Sequence, residues 1–384
     1  MSSPGAGLHP PLHAEHGLTW PAYAFFRTVP RAAGAGLTES SDMDLEGHLL
    51  YIDITQICGI GCAFCMYADK HKAGISMELS TLARENLARL INASEVKRIS
   101  ISGEGEPLNN AKVFHEILGL SEGGKCFEFI TSGFYPYDRM EDFYEVTNQI
   151  VTGNGDTCNI RLSADSHHIE KVKWRAHGFS LDFLRRRRPT GLSFSFRSVD
   201  TDRDFTRDYL KSELAKWGLE AAIEPRSVLE DILVTGGECF GIDYKNLVHP
   251  APGTAPGYLD MLSYIKAVES KINKPFTFGS LNKPPQANGL DVTVKPSGDI
   301  YLYGIENQRL GNIHFDWVDW QRLVDHVRET PLTRALYTQP LTELLARLDN
   351  TDLICSIIAK ANNPYWLVKE LAGHAGLLEQ WDAA

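Results

Sequence analysis

Three cysteines fall within eight residues, Cys58–Gly59–Ile60–Gly61–Cys62–Ala63–Phe64–Cys65, in the spacing C-x3-C-x2-C. Three thiolates on one short loop can cap three corners of an iron–sulfur cube, because thiolates are the soft ligands such clusters need. The fourth iron then has no protein ligand and stays open to an exogenous one. Gly59 and Gly61 let the loop curl around a cluster without Cβ clashes. Two other readings stand beside this one. Structural zinc wants four ligands, usually in two paired knuckles; His71 is the nearby fourth candidate, and no second knuckle follows. Unligated buried cysteines are common, but three at this spacing are not. The other four cysteines, Cys126, Cys158, Cys239 and Cys355, are isolated. An odd total of seven argues against a secreted disulfide framework and for metal binding in a reducing compartment, with the cytoplasm as default.

The elements that must hold this loop can be read from hydrophobic period. His48–Leu49–Leu50–Tyr51–Ile52–Asp53–Ile54 reads as a buried parallel strand, and the cysteine loop follows it directly. Ser80 is a candidate N-cap for a helix carrying Leu82, Ala83, Leu87, Leu90 and Ile91 at helical spacing. The unit then repeats. Strands are predicted at 96–102, 127–131, 159–163, 192–197 and 219–224, with helices at 111–120, 140–151, 168–187 (interrupted near Gly178) and 204–217. Six strands alternating with five helices imply an α/β fold with a parallel sheet and right-handed crossovers. Rolled up, that sheet is a barrel or partial barrel, whose sites lie at the carboxyl ends of the strands. Residues 1–46, rich in Gly, Pro, Ala and His, read as an irregular arm. The barrel is expected over 47–225. After it, over 226–384, prolines break up long elements, and 292–295 and 300–303 flank Pro296–Ser297–Gly298–Asp299 as a β-hairpin. Helices are expected at 317–327 and 341–348.

Cys58, Cys62 and Cys65, with the aromatic Phe64 before the third cysteine, resemble the signature of the radical S-adenosylmethionine (SAM) superfamily. The resemblance covers roughly 48–225, with weaker echoes to about 320. It implies a partial (β/α)6 barrel, one [4Fe–4S] cluster on the three cysteines, and SAM on the open iron. The second strand ends in Ser102–Gly103–Glu104–Gly105–Glu106–Pro107. This is similar to the family's Gly-Gly-Glu-Pro segment, which receives the SAM amino group, with Glu104 in place of the first glycine. Thr131–Ser132–Gly133 resembles the family's polar third-strand end near the ribose. Ser163–Ala164–Asp165 with Arg175 resembles the Ser-x-Asp…Arg pattern of SPASM and twitch members, where Ser and Arg meet the SAM carboxylate; Arg–carboxylate pairing has good geometric reason. A surface position for Arg175 is the competing reading. His167 and His168 are expected to cap the turn or face solvent. Val294 to Tyr303 and Leu310–Gly311–Asn312–Ile313 resemble the hairpin of those domains without their auxiliary-cluster cysteines. The expectation is therefore a smaller C-terminal α+β, twitch-like extension with no second cluster.

The chemistry implied is reductive cleavage of SAM to a 5′-deoxyadenosyl radical that abstracts hydrogen from an unactivated carbon. An external one-electron donor such as flavodoxin or ferredoxin is implied. The substrate class is a small polar metabolite, a sugar or nucleoside, or a peptide, in natural-product biosynthesis. Epimerisation, dehydrogenation and rearrangement are all open. Cys239, in Gly236–Gly237–Glu238–Cys239–Phe240, is a candidate hydrogen donor of an epimerase, against the plain reading of a small buried hydrophobe. Arg197, Glu224, Asp291 and Tyr303 are substrate candidates by position alone. A non-catalytic metal-binding protein on the same fold is the alternative from another class.

Composition bounds the rest. Lys and Arg total 38 against 49 Asp and Glu, a net charge of −11, which gives no general attraction to nucleic acid or anionic lipid. The run Arg185 to Arg188 reads as a solvated helix end, since cations suit a helix C-terminus. No stretch of 18 apolar residues predicts a membrane span, and the first residues lack the pattern of a secretory signal.

Overall fold

Along each parallel strand of the structure, apolar and polar residues alternate, and the two sets go to opposite faces of one sheet. The structure is a computed structural model and describes residues 47–62, 65, 74–246, 257–281, 289–349, 351–361, 363–374 and 376–382. The expected arm over 1–46, Phe64, His71 and the prolines at 250, 252, 256, 284 and 285 lie outside the described residues. Strands β1 (His48–Asp53), β2 (Val96–Ser102), β3 (Cys126–Thr131), β4 (Thr157–Ser163) and β5 (Leu192–Val199) pair in parallel in sequence order. Helices α1 (Thr81–Asn92), α2 (Ala111–Leu118), α3 (Tyr137–Asn154), α4 (Ser166–Ile169), α5 (Ala176–Arg187) and α6 (Arg203–Ala215) alternate with them. Ser80 caps α1 as its type predicts, accepting a hydrogen bond from Ala83 N.

One face carries Leu50, Ile52, Ile99, Ile101, Phe129, Ile160 and Phe196, all fully buried under the helices. The other carries Tyr51, Asp53, Ser100, Glu128, Arg161, Arg197 and Asp243, placed on one side by the register. In a flat sheet β1 and β5 would stand about 19 Å apart. Here Tyr51 of β1 and Arg197 of β5 line one cleft. The sheet is therefore curved, with its polar face inside.

The polar face holds its charges by pairing them. Glu128 accepts from Arg98 at 2.9 Å and from Ser100 at 2.9 Å, and meets Arg161 at 2.5 Å. Arg161 also reaches Asp243 at 3.4 Å. Burial would raise the Glu128 carboxyl, but the two guanidinium groups hold it down at about 2.

The sixth parallel strand differs from the expectation at 219–224. Strand β6 (Ala221–Ser227) leads an antiparallel meander with β7 (Glu230–Thr235) and β8 (Glu238–Lys245), and it is β8 that lies parallel beside β5. Both segments alternate suitably; Gly236 and Gly237, at φ 58° and 82°, make the tight turn that folds the chain back. Nor does the sheet stop at 225. After α7 (Met261–Ile272), β9 (Asp291–Val294) pairs in parallel with the open edge of β1, and β10 (Asp299–Leu302) and β11 (Gly311–Asn312) extend it. The sheet of described residues has 11 strands, ordered β11-β10-β9-β1-β2-β3-β4-β5-β8-β7-β6. The expected 292–303 hairpin is β9–β10.

The predicted break near Gly178 is also displaced. The chain leaves the helix at 170–175, and α5 runs unbroken through Gly178, where a Cβ would collide with Trp217. That glycine permits close packing rather than ending a helix. Arg185, Arg186 and Arg187 do close α5, paired with Asp182, Glu141 and Glu145. No helix among the described residues is long and apolar enough to cross a membrane.

Candidate active site

The carboxyl ends of β1 to β5 and of β8 open into one cleft. Past β1 the chain runs through Thr55, Gln56 and Ile57 to Cys58, and this segment is stitched to the turn after β2. Gly105 N donates to Thr55 O at 2.9 Å and Glu106 N to Ile57 O at 3.0 Å. The strands must approach closely here: a Cβ on Gly103 would lie 2.8 Å from Thr55 O, and one on Gly105 would clash with Ile57 O. The two glycines are therefore set by backbone contact.

Glu106 braces the turn to β3. Its Oε1 accepts from Thr131 Oγ1 at 2.5 Å and from Leu108 N at 3.1 Å, and its Oε2 from Ser132 N at 2.9 Å. One acceptor site remains on Oε2. Pro107 starts a short 3₁₀ turn that Glu106 caps. Glu104 turns the other way. It accepts from Gln56 Nε2 at 2.6 Å and meets Lys295 at 3.1 Å; Lys295 also binds Glu306 at 2.6 Å and Asp53 at 3.5 Å. Burial raises the Asp53 carboxyl to about 7, with Lys295 opposing and Glu104 assisting.

Cys58, Cys62 and Cys65 are half-buried thiols outside any disulfide, and all line this cleft. Cys65 N donates to Cys62 O at 3.1 Å, which turns the loop. Burial pushes the Cys58 thiol up, while the amides of Ile60 and Gly61 donate toward its sulfur and pull it down. Asp165 caps α4 and holds His168, with Nδ1 2.8 Å from Oδ1. His168 in turn hydrogen-bonds Cys62. Burial alone would lower this histidine; the bonds to Asp165 and Cys62 outweigh it and raise it to about 10. Of the two expected positions, the turn or solvent, His168 takes the turn, bonded to Asp165, and from there it lines the cleft. Among the described residues, no three His, Cys, Asp or Glu side chains converge on a single-ion position. Thiolates on a cubane stand at separate irons, so a cluster does not ask for that convergence.

Of the residues singled out in the sequence, Gly103, Glu104, Gly105, Glu106, Pro107, Thr131, Ser132, Ser163 and Asp165 join the cysteines in the cleft. Arg175 does not. It sits at the N-cap of α5 in a separate groove with Tyr137, Glu213 and Trp217, and reaches Ile169 O at 3.5 Å. The Ser163 carbonyl is instead met by His177 Nε2 at 3.0 Å. Cys239 is exposed at the start of β8, about 20 Å along the strand from Lys245 at its cleft end. That placement lends a hydrogen-donor role no support. Glu224 is on the edge strand, paired with Arg226 at 3.0 Å. Arg197 and Tyr303 line the cleft, and Asp291 is buried on the neighbouring β9.

Among the cleft residues that the sequence did not single out are Lys245, Asn246, Tyr264 and Glu306, and Lys295 is paired with the last of these. Burial, then Arg197, lowers Lys245 to about 8, against Asp165, Cys62 and Cys65. Recognising β8 as the sixth parallel strand would have pointed to Lys245, its last residue.

No protein-family model matches the chain, and no curated protein matches it. Among the solved structures similar to the chain are two of anSMEcpe. Native anSMEcpe with bound AdoMet and Cp18Cys peptide is 13% identical over 88% of this chain and 99% of that one, with a TM-score of 0.47. A hexahistidine-tagged anSMEcpe with bound AdoMet is 13% identical over 85% and 98%, with a TM-score of 0.46. Likeness at this level decides neither fold nor function, so the reading below stands on the cleft itself.

Proposed function

We propose that the protein is a radical SAM enzyme. One observation carries this reading: three cysteine thiols on the loop after β1 open into the same cleft as the Gly103–Pro107 turn and the ends of β3 and β4. The donor set fits a [4Fe–4S] cluster. It offers three soft ligands on one loop, amide donors at Cys58 and an imidazole donor at Cys62, and hydrogen bonds to sulfur tune such clusters. A cluster bound there would pass one electron to SAM, supplying the hydrogen-abstracting chemistry of the class.

The chain's own residues do the positioning. The Glu106 brace fixes the turn that would receive the SAM amino group, with one acceptor site left for it. Thr131 and Ser132 present the third-strand end, and Ser132 Oγ is buried without a hydrogen-bond partner. An unmet buried hydroxyl at a cleft wall suits a polar ligand. The Asp165–His168 pair holds a cation against Cys62. Asn363, Trp366 and Lys369, from the C-terminal segment, also line the cleft. An external one-electron donor such as flavodoxin or ferredoxin, a small polar metabolite, sugar, nucleoside or peptide as substrate, and a reducing cytoplasm complete the reading.

The test is anaerobic reconstitution with iron and sulfide, followed by dithionite and SAM. The triple variant Cys58→Ala, Cys62→Ala, Cys65→Ala serves as control. The expected result is about four irons per chain and 5′-deoxyadenosine that depends on the three cysteines. A fully loaded cluster that gives no deoxyadenosine with any reductant would leave a cluster-binding protein without this catalysis. A colourless zinc protein would remove the cluster as well.

A further inference from the structure

Arg197 stands apart from every other cation on the inner face. It lies at the cleft end of β5, in register with Ser163 on β4 and Asp243 on β8. Among the described residues its side chain forms no hydrogen bond or ion pair, and its Nε is buried without a partner. The neighbouring anions are engaged elsewhere. Glu128 holds Arg98 and Arg161, and Asp243 holds Arg161 and Lys271. The guanidinium is half-buried at the cleft wall, and a buried Nε–H with no acceptor is costly unless something arrives to meet it.

We propose that Arg197 receives the carboxylate of the substrate, whether a small acid or an acidic side chain of a peptide. The proposal rests on the enzyme reading above for where SAM lies. Two features place the carboxylate with the substrate rather than with SAM. The cations beside the cysteines are Lys245 and His168, and both line the cleft with them. The side chains that bear on Arg197 are those of Asp243, Glu128, Tyr303 and Tyr51, none of them a candidate cluster ligand. Tyr51 and Tyr303, with ring centroids 5.7 Å apart, form an aromatic wall near the guanidinium. A single negative charge also suits the surroundings better than a phosphate. Asp53, Glu104, Glu106 and Glu306 line the same cleft, and repulsion from them grows with ligand charge.

The reconstituted protein with SAM is titrated with four probes, following the melting temperature. They are benzoate, its neutral isostere benzamide, acetyl-Gly-Glu-Gly-amide and inorganic phosphate. Wild type and the variants R197Q and R197K are compared. The expected result is stabilisation of wild type by a carboxylate probe and not by benzamide. R197K should keep part of that shift and R197Q should lose it. Benzoate against the peptide as the stronger probe assigns the carboxylate to a small acid or to a peptide. Lower melting of R197Q together with no probe response in wild type would make Arg197 structural and overturn the proposal. So would a weakened SAM dissociation constant in R197Q, or a response to phosphate alone. If wild type cleaves no SAM yet binds a carboxylate through Arg197, the enzyme reading falls and the anion site stands. If it cleaves SAM and ignores both carboxylates, the anion site falls alone.

Discussion

At Glu106 three of four acceptor sites are filled before any ligand arrives, by Thr131 Oγ1, Leu108 N and Ser132 N. Glu106→Ala strips partners from buried donors on two elements. Unfolding in urea should show a loss on the order of 3 kcal/mol, with SAM affinity falling as the turn loosens. Asp291 is the opposite case. Its Oδ1 is buried with no partner, and burial raises its carboxyl to about 7, with Arg98 opposing. The folded value lies above the ordinary 3.8. Its contribution to stability is therefore full below about pH 4 and is lost as pH rises through 7. Asp291→Asn should be more stable than wild type at pH 8, and the gap should close toward pH 4 by at most ~1.4 kcal/mol per pH unit. Melting curves at the two pH values check this; equal gaps at both would refute it.

Among the elements, β2, β3, β4 and β8 share one charge ladder through Arg98, Glu128, Arg161 and Asp243. These strands carry charge on a face that other parallel sheets fill with aliphatic side chains, and the ladder is what lets them do so. Glu128→Ala would leave Arg161 buried with only the longer contact to Asp243. We expect a loss of about 3–5 kcal/mol in chemical denaturation. The Glu128 value of about 2 lies below its ordinary 4.5. Its contribution is present above about pH 4.5 and is lost as pH falls toward 2, so wild type and variant should converge in acid.

For the whole molecule, Lys295 ties the C-terminal strands to the start of the sheet. From the turn between β9 and β10 it reaches Asp53 at the end of β1, Glu104 after β2, and Glu306. Three carboxylates converge on one ammonium group that burial alone would destabilise. Lys295→Met should leave those carboxylates facing one another. The loss of stability should be larger at pH 8 than at pH 5, because protonation of Asp53 relieves the repulsion. A deficit independent of pH would show that the lysine acts through packing alone.

The sequence by itself determined the parts that depend on neighbouring residues. The C-x3-C-x2-C spacing, the apolar run of β1, the Ser80 cap and the hairpin around Pro296–Asp299 are local patterns with local causes. It could not choose between 219–224 and Glu238–Lys245 as the partner of β5, because both alternate with period two and only long-range pairing separates them. That choice carried Lys245 into the cleft and left Cys239 at the far end of the strand. The same holds for the cations. Arg175 is near Ser163 along the chain but lies in another groove, whereas Arg197, 34 residues further on, is its register partner on β5. Spacing fixes which side of a strand or helix a residue occupies; which strand ends face one another is decided by the order and curvature of the sheet.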